Sequence, residues 1–372
     1  MNKNIKKITL FTTALIILLA GCTNAGVASS WPGLALSNDT GYFSYGTQIF
    51  AIDTKNGSEI WRFPLEPDNR HQYYAAVATQ GDLLVAGSYS DRLAAVDINS
   101  GLFKWAFDGA VDKYIGSALI SDEVIFAPNS DGFLYALDLD GNLLWKFKAD
   151  GPNWTAPVTD GDLVFMASMD HFLYTFRVEN PEVQLGLDKT GDAILLPEPF
   201  WKIDLNAAVV AKPVIADGMI YVGTIDGTLY AISVAGRNVA WSITGGEDAG
   251  SIWGSPVITS EAIYFGDEKG NLYAVSPDDG SALWSTPYSA GASLIAGGVE
   301  TEEGILYITD EGRIFTINLE KEPKPVTNLE MVMYATPLYI NGRVVIAPAS
   351  KDELFKALDL NGKEIWKFIP SK

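Results

Sequence analysis

Phe133-Leu134-Tyr135-Ala136-Leu137-Asp138-Leu139-Asp140-Gly141-Asn142-Leu143-Leu144-Trp145 reads as a strand, a tight Asp-Gly turn and a second strand that carries a tryptophan. Shifted copies of this stretch recur along the chain, and a period of 40-odd residues decides an architecture before any other feature does. Eight repeats are recognisable by their central strands. The third residue of each is small: Ala51, Ala95, Ala136, Thr175, Ala231, Ala274, Thr316 and Ala357. A small side chain there implies close approach of a neighbouring sheet, which a larger residue would overpack. A second β-rich run precedes each, as in Val124-Ile125-Phe126-Ala127, and Ser130-Asp131-Gly132 or Asp226-Gly227 supplies the intervening hairpin turn. Earlier still comes a short strand with proline near its start (Pro157, Pro213, Pro256, Pro337), a position that needs no N–H donor.

Each repeat is therefore four short antiparallel strands, the last carrying Trp61, Trp105, Trp145, Trp201, Trp241, Trp284 or Trp366. The seventh repeat alone lacks the ring and has Lys324-Pro325-Val326 near that place. Successive tryptophans lie 44, 40, 56, 40 and 43 residues apart, then 82 across two repeats. The 56 exposes an insertion, roughly Glu179 to Glu198, in the fourth repeat. Four strands repeated eight times predict an all-β, eight-bladed β-propeller over residues 31–372, whose closure leaves only short edges. A linear solenoid would need distinct polar caps, and neither end has one.

Composition narrows the function. The 372 residues carry 46 Asp and Glu against 26 Lys and Arg, a net charge of −20. Such a surface repels phosphate backbones and argues against nucleic acid as a partner. Two histidines, His71 and His171, and one cysteine, Cys22, are too few for a His/Cys metal cluster. Residues 1–21 combine a basic start (Lys3, Lys6, Lys7) with a short apolar run from Ile8 to Leu19, the pattern of an export signal. Leu19-Ala20-Gly21-Cys22 resembles a bacterial lipobox, which implies cleavage before Cys22, lipidation of its thiol and a tether over 22–30. No other cysteine exists to pair with it. Several acyl chains give stable anchoring. The expected product is an exported body held at the cell or outer membrane. Thr23 stands where an inner-membrane retention signal would often place Asp.

Ala51-x-Asp53-x-x-x-Gly57-x-x-x-Trp61 and Ala95-x-Asp97-x-x-x-Gly101-x-x-x-Trp105 resemble the tryptophan-docking repeat of the pyrroloquinoline-quinone-type propeller family. Shortened forms occur at Ala136-Asp138-Gly141-Trp145 and Ala357-Asp359-Gly362-Trp366; in Ala274-Ser276-Gly280-Trp284 serine replaces the aspartate. The resemblance spans nearly the whole chain beyond the tether and implies fold more than function. One branch, the quinoprotein dehydrogenases, implies adjacent cysteines, sometimes a haem motif, and ligands for calcium. Here no cysteine follows Cys22, and the Asp-rich turns at Asp131-Gly132 and Asp267-Glu268-Lys269-Gly270 lack a spaced carboxylate ladder. Nor is there a nucleophile elbow, a phosphate loop or a zinc helix. No catalytic residue, metal or cofactor is expected. The other branch, non-catalytic envelope lipoproteins similar to BamB, implies a protein-interaction scaffold with envelope partners, including outer-membrane assembly machinery. Its members begin with a tryptophan-bearing strand that completes the last blade. This chain instead opens with an inner strand near Gly33 to Leu36 and ends with its own outer strand at Trp366.

A quinone, a carbohydrate or another small ligand is the competing expectation. Tyr74, Tyr114, Trp154, Trp253 and Tyr334 enter the innermost strands and are placed at the channel mouth. They either frame a ligand or partner site or wedge between adjacent blades. The insertion, apolar for a loop, either covers its own scaffold or docks a partner.

Overall fold

The computed structural model describes residues 33–371 except 180, 182, 188–192, 247 and 350–352. The export signal, Cys22 and the tether lie outside the described residues. Blade 1 comprises β1 (Gly33–Ser37), β2 (Thr40–Tyr45), β3 (Gln48–Asp53) and β4 (Glu59–Phe63). Blades 2 and 3 are β5–β8 (78–107) and β9–β12 (119–148). Blade 4 is β13–β15 with β18 (158–204) and encloses a hairpin, β16 (Val183–Leu187) and β17 (Ala193–Pro197). Blades 5 to 8 are β19–β22 (214–244), β23–β26 (257–289), β27–β30 (299–328) and β31–β34 (338–368). Among the described residues these form eight four-stranded antiparallel sheets and one two-stranded sheet, with no helix. The eight-bladed propeller follows.

Each sheet is too small to hide both faces by itself, so the core lies between blades. The small third residue of the third strand explains how they fit. Ala51, Ala95, Ala136, Ala231 and Ala357, and Thr175 in blade 4, stand directly across from the tryptophan of the fourth strand. All eight small residues are buried. The methyl side leaves room for the indole, which reaches outward to the next blade.

The indole lands on the turn between the third and fourth strands of that blade. Trp61 Nε1 donates to the carbonyl of Ile98 at 2.9 Å, Trp105 to Leu139 at 2.7 Å, Trp241 to Pro277 at 3.1 Å and Trp284 to Leu319 at 2.7 Å. The receiving turn explains the repeat motif. Asp97 Oδ1 accepts the N–H groups of Asn99 and Ser100, and Asp359 Oδ1 those of Asn361 and Lys363, closing the turn locally. Gly101 then takes φ +68°, and a Cβ there would lie 2.7 Å from the Trp61 ring. Only glycine satisfies both demands.

The same lock closes the ring. Trp366 Nε1 donates to Thr54 O at 2.9 Å and its ring covers Gly57, while Phe43, Phe50, Phe355 and Phe368 fill a core shared by blades 8 and 1. Among the described residues no strand is exchanged across this seam.

Trp201 of blade 4 packs on Phe165 with its Nε1 unpartnered among the described residues, and three further places depart from the pattern for visible reasons. In blade 7, Val326 replaces the ring, is buried, and presents its carbonyl to Gly362. Pro323 and Pro325 sit on that outer strand, β30, where a missing N–H costs nothing to a neighbour. In blade 6 the outer strand shrinks to Tyr288–Ser289, and Leu283 N donating to Ala274 O at 2.9 Å keeps the backbone beside Trp284 in place while its indole still docks on Leu319. In blade 4 the insertion replaces the receiving turn, and Trp145 packs between Phe126 and Phe176, with centroids 5.8 and 5.6 Å away.

Gly81 and Gly101 both adopt positive φ, but nothing lies within 4 Å of a Cβ on Gly81. Gly81→Ala should therefore cost about 1 kcal/mol from backbone strain alone. Gly101→Ala should cost an additional ~1–3 kcal/mol from displacing the Trp61 ring. Parallel urea melts measure the difference; equal losses would remove the docking argument.

Candidate functional site

The innermost strands enclose a central cavity of about 830 Å³, open to solvent. Its wall is built from equivalent positions of successive blades: Leu34, Val77, Leu119, Val158, Val214 and Leu338 lie on first strands, and the tyrosines 74, 89 and 334 sit among them. Branched and small apolar side chains dominate because each first strand turns one face inward.

The connections entering the first strands obey a two-residue register. In one position the backbone N–H donates to the preceding blade's turn between its second and third strands: Tyr73 to Gly46 O, Tyr114 to Ser88 O, Asn153 to Asn129 O, Val209 to Ser168 O, Ile252 to Thr224 O, Leu294 to Asp267 O and Met333 to Asp310 O. These seven side chains are all at most 2% exposed and drive between blades. Glycines clear their path. A Cβ on Gly87 would lie 2.3 Å from Tyr114 Cβ, and one on Gly223 2.4 Å from the Ile252 side chain. The carbonyl just before the wedge residue accepts from the following blade, as Lys113 O does from Ser130 N at 2.9 Å.

This register sorts the five channel-mouth candidates. Tyr74, Trp154, Trp253 and Tyr334 occupy the position after the wedge; Tyr114 occupies the wedge itself. Tyr114 is 1% exposed and its hydroxyl has no partner among the described residues. Its expected place at the mouth is taken by Ile115, which lines the cavity. One residue of slip exchanges the two faces of an extended segment. Of the remaining four, Tyr74 and Tyr334 line the cavity. Trp154 and Trp253 are half-buried outside it; Trp253 Nε1 donates to Glu268 Oε2 at 3.3 Å.

Two cavity residues carried no sequence signal of their own. Tyr89, on a blade 2 turn, stacks edge-on against Tyr74 with centroids 4.9 Å apart. Lys212, just ahead of β19, is the one lysine among the lining residues, which include no aspartate or glutamate. Its side chain is exposed to the channel, yet the wall that surrounds it still pushes the ammonium below the ordinary lysine value.

The Asp-rich turns are occupied by protein donors. Asp267 accepts from the N–H groups of Gly250, Lys269 and Asn271 and from Tyr273 Oη at 3.0 Å. Asp131 and Asp170 accept from Tyr135 and Tyr174 at 2.7 and 2.8 Å, pushing both phenols well above their usual value through burial first and the carboxylate second. Among the described residues no three His, Cys, Asp or Glu side chains gather as a metal site.

The insertion is a β-hairpin. β17 runs beside β12 (Leu143–Lys148), the outer strand of blade 3, which leaves β16 as the outward edge. Leu185 and Leu187 on that edge are 76% and 72% exposed.

A family model described as outer membrane protein assembly factor BamB matches residues 45–185 and 197–368. The chain belongs to this family. The gap between the two matched stretches, residues 186–196, falls inside the insertion hairpin. The outer membrane protein assembly factor BamB of Bordetella pertussis is 26% identical over 165 residues, 44% of this chain and 39% of that protein. The aligned region thus spans well under half of that relative. The crystal structure of BamB from Moraxella catarrhalis superposes with a TM-score of 0.67 over 85% of this chain and 90% of that one, at 16% identity. A computationally designed protein, Ika8, gives 0.68 over 91% and 97%, at 13%. These two likenesses are of fold.

The wedge assignment separates neighbouring residues. Tyr114→Ala should cost ~3–5 kcal/mol, as for other buried aromatic truncations, whereas Tyr114→Phe, which removes only an unpartnered hydroxyl, should be neutral or stabilising. Ile115→Ala should change stability far less than Tyr114→Ala. Denaturant midpoints for the three variants decide it; a costly Tyr114→Phe would contradict the assignment.

Proposed function

We propose that this chain is a non-catalytic, lipid-anchored scaffold that holds other envelope proteins, in the manner the family description implies for outer-membrane assembly. The observation that carries the reading is the family match over residues 45–185 and 197–368, interrupted at a hairpin whose edge strand exposes Leu185 and Leu187. An apolar β-edge offers backbone hydrogen bonds for affinity and alternate side chains for selectivity. Apolar residues left outward on an exposed edge are an aggregation liability unless a partner covers them. Cys22 is the proposed point of lipid attachment, which would hold the propeller at a membrane surface facing the periplasm or exterior.

No quinone chemistry enters this reading. Pyrroloquinoline quinone carries three carboxylates, and the channel wall offers them a single lysine and offers a bridging calcium no carboxylate. The donor set does not fit that cofactor.

Crosslinking in intact envelopes tests the scaffold. A specific partner should be captured by the unaltered chain, and Leu185→Glu with Leu187→Glu should reduce its recovery at least tenfold. The melting temperature should not move, since both side chains lie on the surface. Undiminished capture by the double variant would remove the hairpin from the interface, and repeated recovery of the chain alone would remove the scaffold reading. Cys22→Ser should shift the protein from the membrane fraction to the soluble fraction.

A further inference from the structure

The scaffold reading leaves Lys212 unused. It lies on the wall of the central cavity, and its main chain is fixed there because Ser255 Oγ of blade 6 donates to its carbonyl at 2.9 Å. Among the described residues its ammonium has no ion-pair partner, while Lys55, Lys104, Lys324, Lys356 and Lys367 are each paired with a carboxylate. The protein carries a net charge of −20, yet no Asp or Glu is among the residues that line the cavity with this lysine.

The Lys212 side chain is exposed to the cavity and no carboxylate stands on the surrounding wall, so its ammonium is open to an anion that enters there. The desolvation of Lys212 is opposed by no neighbouring carboxylate. The rest of the wall describes the remainder of a ligand. Tyr74, Tyr89 and Tyr334 provide flat rings with polar tips, and Val77, Leu119, Val214 and Leu338 provide apolar area. A volume near 830 Å³ lies within the range of small-molecule sites. With one cation on the wall, a second or third anionic group would find no counter-charge there.

We propose that the central channel binds a monoanionic aromatic acid, its carboxylate on Lys212 and its ring against the tyrosine-bearing wall. The site is independent of the hairpin and of the scaffold reading, so either stands if the other fails.

Isothermal titration of the full chain in detergent, against a micelle-only blank, tests this with 2-naphthoate and its neutral analogue 2-naphthalenemethanol. The acid should bind saturably at one site and at least tenfold more tightly than the alcohol. Lys212→Gln should weaken the acid at least tenfold and leave the alcohol unchanged, while Lys212→Arg should stay within threefold of the parent. Lys212→Gln should melt no lower than the parent, since no ion pair is lost. Lys363→Gln, an exposed lysine on a blade 8 turn, should leave the acid's affinity unchanged. The proposal is overturned by absent or non-saturable binding, by equal affinity for acid and alcohol, by full affinity in Lys212→Gln, or by equal losses in Lys363→Gln.

Discussion

A four-stranded blade of this chain cannot bury its own faces, and everything else follows from how neighbours are made to do it. Two contacts recur at the junctions. Toward the rim, an indole crosses to the outer turn of the next blade, and at Gly57, Gly101, Gly141 and Gly280 it covers a glycine whose Cβ would strike the ring. Near the axis, a residue such as Tyr73, Ile252 or Met333 is driven between blades and pinned by its own backbone N–H. Between these contacts lie the buried side chains that make up the core. The ring therefore resembles a chain of matched surfaces more than eight separate sheets.

That economy decides what can vary. Blade 7 does without the indole because Val326 still fills the gap and its carbonyl still reaches Gly362. Blade 4 tolerates a long hairpin because the insertion leaves from the rim, where the displaced turn met Trp145 and aromatic packing on Phe126 and Phe176 substitutes. The wedge residues vary in type, from tyrosine to valine, yet all seven are buried. Variation at the rim and constancy near the axis leave two places where function can differ from the repeat: the hairpin edge and the channel wall.

The repeat was legible because it is dense in residues with one structural use. Gly101 and Trp61 announce each other by spacing, and the small residue opposite each indole completes the pattern. Blade count, strand order and the self-contained seam all follow from those positions. The channel was less legible. Tyr114 and Tyr74 look equivalent in sequence, but the short connection ahead of each first strand has no strong alternation to fix which residue faces inward. A one-residue offset therefore carried Tyr114 into the wedge and placed Ile115 at the mouth. Lys212 was invisible for a different reason: its meaning lies in the carboxylates that are missing around it, which only three-dimensional neighbours disclose. The hairpin's apolar character was readable, its edge-on placement beside β12 was not.

Family membership, the exposed hairpin edge and the acidic surface support the proposed scaffold, and the proposed channel site is separate from it. Both functions presuppose a rigid ring. Hydrogen exchange at the seven wedge amides, from Tyr73 to Met333, measures that rigidity directly. If the junctions hold the fold, these amides exchange together in the slowest class, alongside the central strands, although they lie in connections between blades. Exchange at loop rates, with protection confined to the strands inside each blade, would contradict the account.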